Sequence, residues 1–271
     1  MAPGRSSDPD RVEGALRELP AMELLGLLRR SSNYTFLARL GERPTEGAEE
    51  QSKNRKQVLS RVAAAAANDG DLLAVYKPAR GESPLWDFPS GRLYAREVAA
   101  YLLARELGWP RVPPTVVREH APLGIGAVQL FVSSRPNVHY LVDDGTPEQT
   151  WIEIAIFDVL INNADRKSGH CLVDEHSDTV WVIDHGLTFH SEPKLRTVIW
   201  DFAGRAAPRR LREDLERCAC ELDGGELGQL LEPLLSPPEL TSLRRRLGVV
   251  LRPDWRLPRP SSSWSVPWPP V

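Results

Sequence analysis

Two aspartates in the second half of the chain have the residue type and spacing best suited to chemistry. Asp165 lies in a polar stretch that follows a strongly apolar run, and Asp184 ends a short apolar segment nineteen residues later. A hairpin between them would bring the two carboxylates together, which is costly unless a cation or a proton lies between them. Mg²⁺ takes such oxygen ligands and commonly bridges to phosphates, so the pair predicts phosphoryl transfer; the alternative is that each aspartate caps an ordinary turn.

A lysine and a glutamate in the first half form a second candidate pair. Lys77 ends the apolar segment 72–77, and Glu97 falls in the first turns of a predicted helix at 94–107. A buried lysine needs a carboxylate partner, and a strand–helix contact would supply one. Either residue alone is most simply a surface side chain, so the prediction depends on its combination with the two aspartates.

The elements of the first half predict a small antiparallel sheet that carries one helix. Short apolar runs mark the strands, and a helical stripe that closes at Gly108 marks the helix. The predicted strands are 34–40, 72–77, 112–118 and 127–133, and the predicted helix is 94–107. Before them, the apolar rhythm from Arg11 to Arg30 predicts a helix that is broken at Pro20.

The second half is predicted to be mainly helical around one short hairpin. A stretch that is apolar almost all round, at 147–161, predicts a buried helix. The hairpin strands are predicted at 171–174 and 180–183, and further helices at 208–222, 225–235 and 238–247. From residue 258, a segment rich in Pro, Ser and Trp is expected to be disordered or draped over the surface.

Composition narrows the function classes. The 271 residues carry a formal charge of −3, with 41% apolar and 26% charged residues. That balance excludes a general nucleic-acid binder, and no apolar run is long enough for an integral membrane span. Three cysteines without metal-ligand spacing, together with a polar start, indicate a reducing, cytoplasmic setting. We expect a monomer.

Taken in order, these segments resemble the phosphatidylinositol 3-/4-kinase-like (PI3/4-kinase-like) branch of the protein-kinase superfamily over about residues 70–205. Type II phosphatidylinositol 4-kinases are the most similar group, an uncharacterised bacterial family is also similar, and HipA-type bacterial kinases are more distant. The resemblance is carried by Val75-Tyr76-Lys77-Pro78, Arg96-Glu97-Val98-Ala99, Gln129-Leu130-Phe131-Val132, Asn163-Ala164-Asp165-Arg166 and Ile183-Asp184-His185-Gly186. It implies an α+β, two-lobed protein-kinase-like fold with a small antiparallel-sheet N-lobe and a mainly helical C-lobe.

The same resemblance implies a division of the chain. An N-terminal extension at 1–23 would precede a nucleotide-binding N-lobe at 24–133, which contains an insertion at about 41–70. A catalytic and metal-binding C-lobe at 134–257 and the tail at 258–271 would follow. ATP would bind between the lobes.

The resemblance also assigns roles to residues. Asp165 would be the catalytic carboxylate, and Lys167 would contact the γ-phosphate. Lys77, paired with Glu97, would hold the α- and β-phosphates of ATP, and Asp184 would bind Mg²⁺. The nucleotide would further be contacted by Ser31, Ser32, Asn33, Gln129, Leu130, Phe131 and Val132.

The chain departs from the family pattern at two points. His170 stands where the family usually has an asparagine as second metal ligand, and imidazole is a poorer ligand for Mg²⁺ than an oxygen donor. A metal site that includes His170 would therefore favour Mn²⁺. The chain also has no counterpart of the clustered cysteines that are lipidated in type II lipid kinases, so a lipid substrate does not carry over.

Three hypotheses follow. The first is an ATP-dependent phosphotransferase whose hydroxyl acceptor, on a protein, a lipid headgroup or a metabolite, is open, as is transfer of AMP in place of phosphate. The second is a catalytically weak or inactive nucleotide-binding regulator on the same fold. The third is a metal-dependent hydrolase built on Asp165, His170, Asp184 and His185.

Overall fold

The structure, a computed structural model, describes residues 8–28, 33–44, 71–142 and 145–271. They divide into two compact units, the first comprising Met1–Val98 and Pro113–Phe131 and the second Ala99–Val112 and Val132–Val271. Most of the insertion predicted at 41–70 lies outside the described residues, and so do Ser31 and Ser32.

The first unit is built on a five-stranded antiparallel sheet with strand order β1-β2-β3-β5-β4. The strands are β1 (Ala21–Leu27), β2 (Phe36–Gly41), β3 (Leu72–Pro78), β4 (Thr115–Arg118) and β5 (Gly126–Leu130). Helix α1 (Pro9–Glu18) packs Leu16 against buried sheet residues that include Ala38, Tyr76 and Val128. Helix α2 (Leu93–Leu107) begins in this unit and continues into the second.

The helix predicted from Arg11 to Arg30 is wrong in its second half. Helix α1 ends at Glu18, just before Pro20, and the chain continues as strand β1. Proline has no N–H to donate and disfavours a helical residue before it, so the helix cannot run through this point. The following residues instead pair with β2, from Ala21 opposite Gly41 to Leu27 opposite Phe36.

The second unit contains the helices and the short hairpin that the sequence predicts. Its elements are α3 (Glu148–Ile161), a 3₁₀ turn (Ser168–His170), β6 (Cys171–Val173), β7 (Val180–Val182), α4 (Arg209–Gly224), α5 (Glu226–Leu231) and α6 (Pro237–Val250). Helix α3 buries nine of its residues, in agreement with its apolar surface. No helix among the described residues is long and apolar enough to cross a membrane.

The tail follows the surface of the second unit. The backbone N–H of Thr197 donates to the carbonyl of Ser265, and a 3₁₀ turn forms at Ser263–Ser265. Trp264 and Trp268 are largely exposed. Of the two alternatives predicted for this segment, the structure shows the draped one.

Candidate functional site

The loop that carries Asp165 begins where helix α3 ends. Asn162 takes a left-handed conformation with φ 52°, which turns the chain out of the helix. The N–H of Ala164 then donates to the carbonyl of Leu187 at 2.9 Å, and the N–H of Arg166 donates to the carbonyl of Arg196 at 3.0 Å. Backbone bonds to the segment that follows Asp184 therefore hold the loop from both sides.

A fully buried ion pair fixes the base of this loop. The Asp158 carboxylate accepts from Nε of Arg166 at 3.1 Å and from Nη2 at 3.0 Å, and both side chains are 0% exposed. Asn163 donates from Nδ2 to the same carboxylate at 2.9 Å. Burial opposes the charge of Arg166, whereas neighbouring anionic groups, Asp158 first among them, favour it, and the pKa of the guanidinium is raised overall.

Arg166 also links the loop to the segment around Asp184. Its Nη1 donates to the carbonyl of Ile183 at 2.9 Å, and its Nη2 lies 2.9 Å from Nε2 of the buried His185. Since a guanidinium only donates, Nε2 accepts, and His185 carries its proton on Nδ1. One arginine therefore connects the two aspartate-bearing segments.

Asp165 lies beside a lysine and near the second aspartate. Nζ of Lys167 is 3.4 Å from Oδ2 of Asp165, whose side chain is 28% exposed. Burial is the largest influence on this carboxyl; Lys167 lowers its pKa and the charge of Asp184 raises it, with a net rise to about 6. An aspartate with this pKa is ionised at neutral pH and is a better proton acceptor than an ordinary one.

Asp184 is held in an uncommon backbone conformation and contacts His170. It has φ 62°, a region that non-glycine residues seldom occupy. Nε2 of His170 lies 3.2 Å from Oδ2 of Asp184, while Nδ1 accepts from the N–H of Lys167 at 3.4 Å. This pattern puts the imidazole proton on Nε2, which donates to Asp184.

The donors in this region fit a hard divalent cation. Asp184 and Asp165 present carboxylate oxygens, which Mg²⁺ and Mn²⁺ prefer. His170 could bind a metal through Nε2 only by giving up its contact with Asp184. Within the described ranges, no group of three or more His, Cys, Asp or Glu side chains is arranged to hold a metal ion.

In the first unit, Lys77 and Glu97 meet as the sequence predicts. Lys77 is in β3, Glu97 is in α2, and Nζ of Lys77 forms an ion pair with Oε1 of Glu97. The lysine side chain is 19% exposed and the glutamate 3%. The lysine side chain is therefore partly accessible, while its glutamate partner is buried.

The remaining predicted nucleotide residues have varied positions. Asn33 accepts at Oδ1 from the N–H of Ser83 at 2.7 Å, which ties the turn before β2 to the loop after β3. The side chain of Gln129 is buried and donates to Oγ1 of Thr115 at 2.8 Å, inside the sheet.

The backbone at the end of strand β5 also takes part in hydrogen bonds of the first unit. The N–H groups of Leu130 and Phe131 donate to the carbonyls of Pro114 and Leu73, at 2.8 and 3.0 Å. Val132 begins the second unit. Adenine recognition through the N–H groups of Leu130 and Phe131 would compete with these sheet bonds.

Three residues that shape the site were not singled out by the sequence. Asp158 lies within an apolar helix, where a buried carboxylate needs a cation as partner. Its presence in that helix could have predicted a buried ion pair. Asn162 donates from Nδ2 to the carbonyls of His190 and Glu192, at 2.9 and 2.6 Å. Arg246 is partly buried, and its Nε donates to the carbonyl of Leu160 at 2.7 Å.

Comparison with known sequences gives two informative matches. The chain is 37% identical over 233 residues to Protein Rv2133c of Mycobacterium tuberculosis, covering 73% of this chain and 82% of that protein. It is 32% identical over 109 residues to Phosphatidylinositol 4-kinase gamma 4 of Oryza sativa subsp. japonica, which is 34% of this chain but only 19% of the kinase. No protein-family model matches the chain.

Comparison with solved structures identifies the fold. The crystal structure of the Golgi casein kinase with Mn/ADP bound superposes with a TM-score of 0.51 at 14% sequence identity, covering 92% of this chain and 75% of the kinase chain. The chain therefore has a protein-kinase-like fold with a mixed α/β architecture and an antiparallel sheet, as predicted. The narrower PI3/4-kinase-like subclass stays a prediction.

Proposed function

The chain belongs to the same family as the Mycobacterium tuberculosis protein Rv2133c, and we propose that it is an ATP-dependent phosphotransferase of the PI3/4-kinase-like type. The observation that carries this proposal is the largely buried Asp165, whose pKa is raised to about 6 beside Lys167 and near Asp184. The Lys77–Glu97 ion pair, the kinase-like fold and the local similarity to a phosphatidylinositol 4-kinase support it.

In this proposal each charged residue has one task. Asp165 accepts the proton of the acceptor hydroxyl as the oxygen–phosphorus bond forms and the bond to ADP breaks. Lys167 balances charge on the γ-phosphate, and Lys77 binds the α- and β-phosphates. Asp184, oriented by His170, would hold Mg²⁺ or Mn²⁺, which supplies neutralisation of phosphate charge. The acceptor is a hydroxyl on a protein, a lipid headgroup or a metabolite.

Transfer from γ-labelled ATP to protein, lipid and metabolite fractions tests the proposal. We expect Asp165→Asn and Asp184→Asn each to lower labelling by about 10³-fold, because each removes charge that acts on the transferred group. Asp178→Asn is the matched control, since Asp178 is an exposed aspartate of the same unit paired with Arg135. Labelling by either site variant at the parent rate would show that the assignment is wrong.

A nucleotide-binding regulator without transfer is the second candidate. It is favoured by His170, whose two ring nitrogens contact Lys167 and Asp184 in place of an amide metal ligand. ATP binding that Lys77→Met weakens, without labelling of any fraction or of the chain itself, would identify it.

A further inference from the structure

The C-terminal segment, residues 258–271, is bonded to the end of the loop that carries Asp165 and to the segment that bridges Arg166. The N–H of Ser168, just after Lys167, donates to the carbonyl of Pro270 at 2.8 Å. The N–H of Thr197 donates to the carbonyl of Ser265 at 3.0 Å. The tail therefore supplies backbone acceptors to the Asp165 loop and to a segment that supports this loop.

Thr197 is itself part of the support of that loop. It forms a parallel bridge with Arg166, and the N–H of Val198 donates to the carbonyl of Arg166 at 3.1 Å. Its Oγ1 also lies 3.4 Å from Oδ2 of Asp158, the partner of Arg166. Thr197 therefore contacts Arg166, which follows Asp165 in the chain, and also Asp158, the ion-pair partner of Arg166.

Ser265 accepts hydrogen bonds through both its side chain and its backbone carbonyl. It is buried, and its Oγ accepts from the N–H groups of Ser261 and Ser262 at 3.1 and 3.3 Å. Its carbonyl accepts from Nε1 of Trp200 at 3.2 Å as well as from Thr197. One serine therefore closes a tight turn and joins it to the support of the loop.

The composition of the tail suits this use. Pro260, Pro267, Pro269 and Pro270 fix their backbone φ angles, which lowers the conformational entropy lost when the segment is ordered. The Trp264 and Trp268 side chains are largely exposed, so main-chain contacts rather than these large side chains attach the segment here.

We propose that residues 258–271 are a strap that holds the Asp165 loop in its transfer-competent conformation, with Ser265 and Pro270 as positioning residues. This inference rests on the proposed phosphotransferase function. The strap bonds to Ser168 and to Thr197. Its loss therefore displaces Asp165 and Lys167 and leaves the Lys77–Glu97 pair unchanged. A small displacement of a reacting group is enough to lower a transfer rate strongly.

Two variants test the strap: a shortened chain that ends at Trp268, which removes the Pro270 carbonyl, and Ser265→Ala in the full chain, which removes the turn acceptor. We expect kcat to fall about 10- to 100-fold, with the KM for ATP within about twofold of the parent. The Ser168 amide should exchange hydrogen for deuterium faster in the shortened chain, and the Thr197 amide should exchange faster in Ser265→Ala. Trp264→Ala, at an exposed tail position, is the control and should match the parent.

The outcomes separate the two proposals. If the parent transfers phosphate and both variants keep its kcat and its amide protection at Ser168 and Thr197, the strap is wrong. If the parent transfers no phosphate, the proposed function fails, and amide exchange alone decides whether the tail holds the loop. A uniform rise in exchange across the second unit would show that the tail stabilises the whole unit, which also overturns the inference.

Discussion

Two ion pairs, one in each unit, have the same charges but different surroundings. Lys77 and Glu97 pair through a lysine side chain that is 19% exposed and a glutamate side chain that is 3% exposed. Arg166 and Asp158 are both 0% exposed, and the guanidinium bonds the carboxylate through two of its nitrogens. The first pair is open to a ligand on the lysine side, whereas the second is closed to solvent.

The difference follows from the chemistry of the two cations. A lysine ammonium is a point charge on a flexible stem and can contact a second anion while it stays near its first partner. A guanidinium is a planar fork whose donors here point to Asp158, Ile183 and His185. We therefore interpret the lysine pair as part of ligand binding and the arginine pair as the framework that sets the position of Asp165.

Breaking the closed pair should have the largest effect on the fold. Asp158→Ala leaves the Arg166 guanidinium buried without its carboxylate, which typically costs about 3–5 kcal/mol. We expect the free energy of unfolding, measured by urea denaturation, to fall by that amount, and phosphoryl transfer to be lost with it.

Asp178→Asn removes a carboxylate from an exposed pair of the same unit and is the control for this prediction. Exposed pairs contribute about 0–1 kcal/mol, so this variant should unfold at nearly the parent urea concentration. Equal losses in the two variants would show that the buried pair is not the framework we describe.

The open pair should separate activity from stability. Lys77→Met and Glu97→Gln should each lower kcat/KM for ATP about 10²- to 10³-fold, because the phosphates lose a positioned charge. In Glu97→Gln the free energy of unfolding should change by less than in Asp158→Ala, since the side chain of Lys77 is partly exposed whereas that of Arg166 is fully buried.

Arg11→Gln, at an exposed cation in α1 of the same unit, is the matched control and should leave both quantities near the parent values. If Lys77→Met kept kcat/KM unchanged and lost much stability, the Lys77–Glu97 pair would act as a framework, as the Arg166–Asp158 pair does. The interpretation of Lys77 as a phosphate ligand would then be wrong.

The same contrast explains what the sequence could predict. Lys77 and Glu97 were predictable because each ends or begins an element whose hydrophobic pattern is clear, so their juxtaposition follows from strand and helix positions. The role of Asp158 depends on Arg166 turning inward from the loop, which no periodicity records. Strand β1 was missed because its apolar residues also fit a helical spacing, and only pairing with β2 decides between them.

The tail shows a second limit of sequence patterns. Its Pro, Ser and Trp content predicted disorder or loose attachment, since such segments have few apolar side chains to bury. Attachment here uses backbone carbonyls of Ser265 and Pro270, which are present in every residue type and leave no mark in the sequence. The contact to the Asp165 loop could therefore come only from the structure.

Asp165 is more exposed than either paired carboxylate, at 28%, and its expected effect on transfer varies gradually with pH. It is largely buried, and its pKa of about 6 lies above the value of 3.8 expected for an unperturbed aspartate. Transfer needs the ionised form, so kcat/KM should be constant above about pH 7 and fall about tenfold per pH unit well below pH 6. A titration of the Asp165 carboxyl in the metal-free protein, followed by NMR, checks the pKa, and a pH–rate profile checks its effect on transfer.

The stability of Asp165 variants should move in the opposite direction to activity. A carboxyl whose pKa is higher in the folded than in the unfolded chain opposes folding when ionised, so its cost is present at pH 7 and is relieved as pH falls from 6 towards 4. Asp165→Asn should therefore raise the free energy of unfolding at pH 7 by about 1–3 kcal/mol while abolishing transfer. Asp158→Asn should lower it, because that carboxylate is fully paired. If Asp165→Asn were as destabilising as Asp158→Asn, Asp165 would belong to the framework and not to the reaction.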